Sequence, residues 1–301
     1  MWFNNIQIYR FTKPFTLDAQ ELGIKLKENS FKPCGKLQPI SYGWVPPLGN
    51  HGVDFVHAAN GNIMICARKE EKILPASVVR ESVNEKVSDI EKAQARKVRR
   101  KEKEMLKDEV LQDLLPKAFV KSNLTFAYIA PSDGLILVNA ATPKKAEDIL
   151  VYLRRSIGTL PVTPIRLTTP PSINMTRWIS GEEIPEDFSI SDECELHADD
   201  GVIRCKRQDL GTEEIQAHVT AGKQVVKLSI IWRDALSFVI NEDFSINRLK
   251  FSDEILEQAD RNEADDYASQ FDEDFSIMAL ELKHFIPRLI DVFGGESVKS
   301  E

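Results

Sequence analysis

Apolar and polar positions divide the chain into short alternating runs and longer runs of helical period. Residues 2–11 alternate loosely with β-forming side chains, and Thr16 stands as an N-cap for a helix over 17–29. Residues 31–35 and the run Gly43-Trp-Val-Pro-Pro-Leu-Gly49 read as a rigid loop, punctuated by Pro and Gly around one Trp. Residues 61–67 form a short apolar strand that runs into the charged run Arg68-Lys-Glu-Glu-Lys72 and ends before Glu70. After Pro75 a helical pattern covers 77–115 and stops at Pro116. Residues 124–130 and 135–139 pair as a hairpin across Ser132-Asp-Gly134, and Thr142-Pro143 opens a helix that stops at Gly158.

A Pro-rich joint at 160–171 separates the second half. Two or three strands fall between 173 and 206, and a helix over 212–221 closes on Gly222. Runs at 225–232, 236–240 and 247–251 are spaced as an antiparallel meander. A last helix covers 275–293, bent at Pro287 and ended by Gly294-Gly295. Strands mixed with helices without regular alternation predict the α+β class, with mixed antiparallel sheets, packed helices and a protruding long-helix region. The organisation that follows is a central α+β domain from 1–75 and 117–165, a protruding helical region over 76–116, and a C-terminal α+β domain over 166–301.

The long helical pattern carries the most specific local signal. Val79, Val83, Val87 and Ile90 form an apolar stripe, and Leu106, Val110 and Leu114 repeat it at the far end. Between 91 and 104 the stripe nearly vanishes, so the middle stands clear of the core as one continuous helix or as a hairpin. There Arg96, Arg99, Arg100, Lys103 and Lys107 share one helix face. Stacked like charges repel by a few tenths of a kcal/mol per pair, and a polyanion relieves that repulsion.

Net charge hides this polarity. The chain is −8 overall, yet residues 253–274 hold ten acidic residues against Arg261, while residues 92–107 hold eight basic residues against Glu102 and Glu104. A second basic surface lies on the meander, where Lys223, Lys227 and Arg233 fall on one strand face and Arg248 and Lys250 alternate with Leu249 and Phe251. A third is Arg204-Cys-Lys-Arg-Gln208, with Lys206, Arg207 and Gln208 able to bond phosphate or a base edge. A solvated face accounts for each cluster taken alone; one polyanion accounts for all three.

Composition removes whole classes. At 42% hydrophobic and 29% charged residues over 301 positions, the chain is neither disordered nor fibrous, and no apolar run reaches the ~18 residues of a membrane span. Cys34, Cys66, Cys194 and Cys205 form no C-x-x-C pair, which fits reduced thiols in a cytoplasm and no zinc site. No signal peptide opens the chain. The sharpest catalytic reading places Asp54, Glu70 and Lys72 in a D…(E)-x-K metal-dependent nuclease site. Charged triplets of this kind arise easily in such a chain, and no cofactor or metal is expected. His51 and His57 read as loop residues, His218 and His284 as helix-surface or packing residues. A third class is a protein-binding module whose acidic segment docks a basic partner.

Several long blocks resemble one family. Gly43-Trp-Val-Pro-Pro-Leu-Gly49, the run from Ala59 to Pro75, the run from Leu106 to Phe119, Lys144-Lys-Ala-Glu-Asp148 and residues 201–210 are similar to the bacterial recombination-associated RdgC family, essentially over the whole chain. The resemblance implies a non-enzymatic, nucleoid-associated protein of the cytoplasm that forms a ring-shaped homodimer around double-stranded DNA. Single-stranded DNA would be a weaker partner, and recombinase filament activity would be limited. With a ring implied, Phe119 beside Lys117 becomes a candidate dimer contact in the connection after Pro116.

Overall fold

A computed structural model describes residues 1–199, 201–260 and 266–297. In chain order its elements are β1 (Gln7–Phe11), α1 (Ala19–Glu28), β2 (Ile40–Val45), β3 (Val56–Ala59), β4 (Asn62–Ile73), α2 (Ala76–Gln94), α3 (Arg100–Leu114), β5 (Phe119–Ala130), β6 (Leu135–Val138), α4 (Pro143–Ile157) and β7 (Val162–Pro164). There follow α5 (Pro171–Ile179), β8 (Phe188–Ala198), β9 (Gly201–Lys206), α6 (Glu213–Thr220), β10 (Gln224–Trp232), β11 (Leu236–Asn241), β12 (Ile246–Phe251), α7 (Asp253–Asp260) and α8 (Tyr267–Val292). The class is α+β. One sheet runs β2-β4-β5-β6-β1-β7 with β3 also on β4, and the other runs β12-β11-β10-β8-β9.

Period-two alternation sorts the first sheet into two cores. Tyr9, Ile63, Ile65, Ala127, Ile129, Ile136 and Val138 face α1 and α4. Ile8, Met64, Tyr128, Leu135 and Leu137 face the other way, into a core shared with the second sheet and α8. Helix α8 lies between the sheets. Its Phe275 ring is 5.6 Å from Tyr128, and its Phe285 ring is 4.9 Å from Phe238 and 5.3 Å from Trp232. Phe285 is fully buried, so its truncation to Ala would cost about 3–5 kcal/mol. The α2–α3 hairpin has a small core of its own, Val79, Val83 and Val110.

Local signals set several boundaries, some of them unlike the sequence reading. Helix α1 is capped by Asp18 rather than Thr16, because Asp18 Oδ1 accepts from Glu21 N at 2.8 Å and the Glu21 carboxylate returns to the Asp18 N–H. Asn60 and Gly61, both left-handed, turn β3 into β4. Strand β2 takes in Gly43, Trp44 and Val45, the first part of the run expected as a loop over 43–49. A Cβ at Gly43 would sit 2.3 Å from Phe31 Cα, so this glycine admits a crossing chain rather than a turn. Strand β4 continues to Ile73, past Glu70, since β2 and β5 flank it on both sides. Two strands, β8 and β9, stand between 173 and 206 as expected, but the start of that stretch is helix α5; Pro171 occupies its first turn, where a missing N–H costs nothing. Helix α8 begins at Tyr267, because Asp266 caps it by accepting from Ser269 N at 2.8 Å, and it continues past Pro287.

The long helical pattern is a hairpin. Ala95 takes a left-handed conformation at the end of α2, and α3 starts at Arg100. Strand β5 begins at Phe119, so that residue lies in a strand and not in a connection. His57 likewise lies in β3, its Nε2 2.8 Å from Asp272 Oδ1. The hairpin β5–β6, helices α4 and α6, and the meander β10–β11–β12 stand where the sequence put them. Part of the acidic segment, with Arg261, lies outside the described residues. Among the described residues no helix is long and apolar enough to cross a membrane.

Candidate nucleic-acid interface

The hairpin splits the predicted basic stripe. Arg96 falls in the turn, its guanidinium bound to both Glu102 oxygens at 2.7 and 2.6 Å, and that chelation raises its pKa and lowers that of Glu102. Arg99 is the N-cap of α3. Only Arg100, Lys103 and Lys107 therefore share a face of α3. They border a groove of about 690 Å³ between α2 and α3, together with Arg80 from α2. Its floor is apolar, with Leu74, Val79, Val83 and Leu111, and Glu104 is the one carboxylate of its lining, 3.4 Å from Arg100. Sequence reasoning missed Arg80, because its place opposite α3 depends on the turn at Ala95.

The second sheet gathers another set. Arg204, Lys206, Lys227 and Arg248 surround a depression of about 360 Å³ on its outer face. Two carboxylates on β8 knit them together. Glu195 Oε2 is 3.1 Å from Arg204 Nε and 3.2 Å from Lys227 Nζ, and Oε1 is 2.7 Å from His197. Glu193 holds Arg248 at 2.8 Å and Lys206 at 3.6 Å. Burial works to raise the Glu195 pKa, but hydrogen bonds from His197, Arg204 and Lys227 outweigh it and pull the value down to about 2. The hydrogen bond from Arg248 likewise lowers Glu193. This face is thus a network of both signs rather than a plain basic surface. The carboxylates escaped notice because the strand between 188 and 198 pairs with β9 and β10, which lie later in the chain.

The other predicted residues stand apart. Arg233 sits beyond β10 with its guanidinium 4.9 Å from the Trp232 ring centroid and 3.9 Å from Asp187. Lys223, half-buried, precedes β10, and Lys250 is exposed on β12. Arg207 and Gln208 line a different cavity, of about 770 Å³, with Arg207 left-handed at φ +55°. Lys117 is exposed in the turn after α3. Phe119 is 84% exposed and lies directly opposite Ile73, itself 50% exposed, at the outer end of β4 and β5.

Of Asp54, Glu70 and Lys72, the last two are engaged by backbone groups of the fold. Lys72 Nζ donates to the carbonyls of Lys36 and Leu115 at 2.5 and 2.8 Å. Glu70 Oε2 accepts from the Cys34 N–H at 3.0 Å. Among the described residues no group of three or more His, Cys, Asp and Glu side chains could hold a metal ion.

A family model described as "Putative exonuclease, RdgC" matches residues 1–296. The chain belongs to the RdgC family. Within that family it is 49% identical over 299 residues to the recombination-associated protein RdgC of Aeromonas hydrophila, covering 98% of this chain and 99% of that one. The protein of the same name from Tolumonas auensis is 46% identical over 302 residues, covering 99% and 100%. That of Pseudomonas aeruginosa is 47% identical over 303 residues, covering 99% of each. The RdgC-family match thus spans both sheets, the hairpin and α8.

Proposed function

We propose that this chain is a nucleoid-associated, recombination-linked protein that binds double-stranded DNA without sequence preference, as a homodimeric ring closed around the duplex. The observation that carries the reading is the α2–α3 groove, where Arg80, Arg100, Lys103 and Lys107 face one carboxylate in a chain of net charge −8. Cations gathered this way suit phosphate contacts, which give affinity and register but no base readout. Arg204, Lys206, Lys227 and Arg248 act on the same duplex, held in place by Glu193 and Glu195. Phe119 and Ile73 supply an apolar self-contact at a sheet end. The acidic residues of α7 lie away from the DNA path, and a filament-forming recombinase is limited by the occupied duplex.

The reading assigns no catalysis. Lys72 and Glu70 are bound to backbone groups of the fold, and that supports a structural role for both. The family description favours an exonuclease as the second reading. Gel shifts on duplexes of unrelated sequence, with and without Mg²⁺, separate the two. A reversible shift, equal across sequences and weakened by salt, supports binding; Mg²⁺-dependent loss of the duplex supports the exonuclease. Neither result would leave a protein-binding module.

A further inference from the structure

The first turn of α4 breaks the usual charge preference of a helix start. Its N-cap Thr142 makes no side-chain bond to the helix, and no acidic residue stands in that turn. Lys144 and Lys145 occupy it instead, at the positive end of the helix dipole. Pro143 has no N–H, and the Ala146 N–H goes to the Thr142 carbonyl at 3.3 Å. The backbone N–H groups of Lys144 and Lys145 are therefore the open donors of this helix. No carboxylate among the described residues pairs with either ammonium group.

The sheet supplies a matching floor. Tyr42 pairs with Lys69, and Lys69 pairs with Asn123, so the three form a row across β2, β4 and β5. Thr125 is one step further on the same face of β5. With the start of α4 these residues enclose a cavity of about 310 Å³. Lys69 is shared between Glu71 at 2.8 Å and Asp148 at 3.4 Å, and with Lys144 and Lys145 the lining still carries three cations against these two carboxylates.

Two hydroxyls of this lining have no partner. Thr125 is only 5% exposed and makes no side-chain hydrogen bond among the described residues. Tyr42 Oη is wholly buried and also unpaired. Burial pushes the Tyr42 phenol pKa up, so the floor under the cavity stays uncharged there. The Thr125 hydroxyl, nearly buried and lining the cavity without a protein partner, is left for a ligand oxygen.

We propose that this cavity binds a phosphate group. The N–H groups of Lys144 and Lys145, their two ammonium groups and the Thr125 hydroxyl can all donate, and a multi-oxygen anion is the ligand that takes so many donors. The volume, at the low end for small-ligand sites, suits a phosphate with at most a small ester. The phosphate comes either from the backbone of DNA or from a small free phosphate compound. The site does not rest on the duplex-binding reading.

The test titrates inorganic phosphate into the full-length ¹⁵N-labelled protein and follows the amides of Lys144 and Lys145. A saturable shift at both is expected, with none from chloride at matched ionic strength. Thr125→Val and, separately, the pair Lys144→Ala and Lys145→Ala should each weaken binding about tenfold, while Thr125→Ser binds like the parent protein. No saturable shift at these amides overturns the site, and so does full affinity in Thr125→Val, since surface lysines alone would then hold the ion. With the phosphate shift in hand, salt-dependent duplex binding by the lysine-pair variant names the source. A slope shallower by about 0.9 per phosphate no longer neutralised assigns the phosphate to DNA, and an unchanged slope assigns it to a free compound.

Discussion

Lys227 on β10 lies directly across from Glu195 on β8, with Nζ 3.2 Å from Oε2. The same carboxylate holds Arg204, so two cations proposed for DNA are tied to one anion. Glu195→Gln should free both for phosphate, strengthening duplex binding several-fold, while the loss of charged hydrogen bonds costs about 1–3 kcal/mol of stability. Parallel binding and thermal-melting measurements check both signs. Because the folded pKa is depressed to about 2 from an ordinary 4.5, this stability is present above pH 4.5 and lost as pH falls toward 2. The melting temperature of Glu195→Gln should accordingly depend less on pH across that window than that of the parent protein.

The hairpin makes a sharper forecast than a continuous stripe. Changing Arg100, Lys103 and Lys107 together to Ala should make the slope of log affinity against log salt shallower by about 0.9 for each phosphate left without its cation. Arg96→Ala should leave that slope unchanged, since Arg96 lies in the turn and takes no part in the groove lining. Equal effects from Arg96 and from the α3 face would mean that the turn, not the helix face, meets DNA.

These two cases mark what the sequence made legible. The meander, α4, α6 and the β5–β6 hairpin rest on local alternation, helical period and turn residues, and each was readable at its own position. Arg100, Lys103 and Lys107 were readable for the same reason. Their separation from Arg96 was not, because it depends on the left-handed Ala95, a residue type with no turn preference. Strand β2 was hidden by Gly43, whose role is to admit Phe31, and α5 by Pro170-Pro171, which mimic a linker while starting a helix. Glu193 and Glu195 looked unremarkable because their partners come from β9, β10 and β12, far along the chain. Alternation along one strand says nothing about the charge of the next.

At the outer end of β4 and β5, Ile73 and Phe119 face each other in register, both open to solvent. Under the ring proposal they pack against a second copy. Phe119→Ala should then weaken self-association by at least about 2 kcal/mol, the hot-spot range, with the monomer's melting temperature nearly unchanged. Sedimentation at graded concentrations reads the shift, and an unaltered association constant would remove Phe119 from any self-contact.

Lys72 bridges the carbonyls of Lys36 and Leu115, joining the 31–39 segment to the end of the helical hairpin. Lys72→Met should lower stability by about 1 kcal/mol and leave duplex binding intact. Under a nuclease reading the same change would instead abolish Mg²⁺-dependent release of nucleotides from a protein of normal stability. Melting curves alongside a nucleotide-release assay distinguish the two.

Encirclement is tested most directly by retention on DNA of different topology. The protein is loaded onto nicked circular plasmid held on beads, washed at a salt concentration that abolishes phosphate contacts, and then the plasmid is cut once. A closed ring predicts that protein survives the wash on the circle and is released on cutting, with Phe119→Ala washed away before the cut. Equal release from circular and linear DNA by the same wash would contradict encirclement and leave a surface-bound protein in its place.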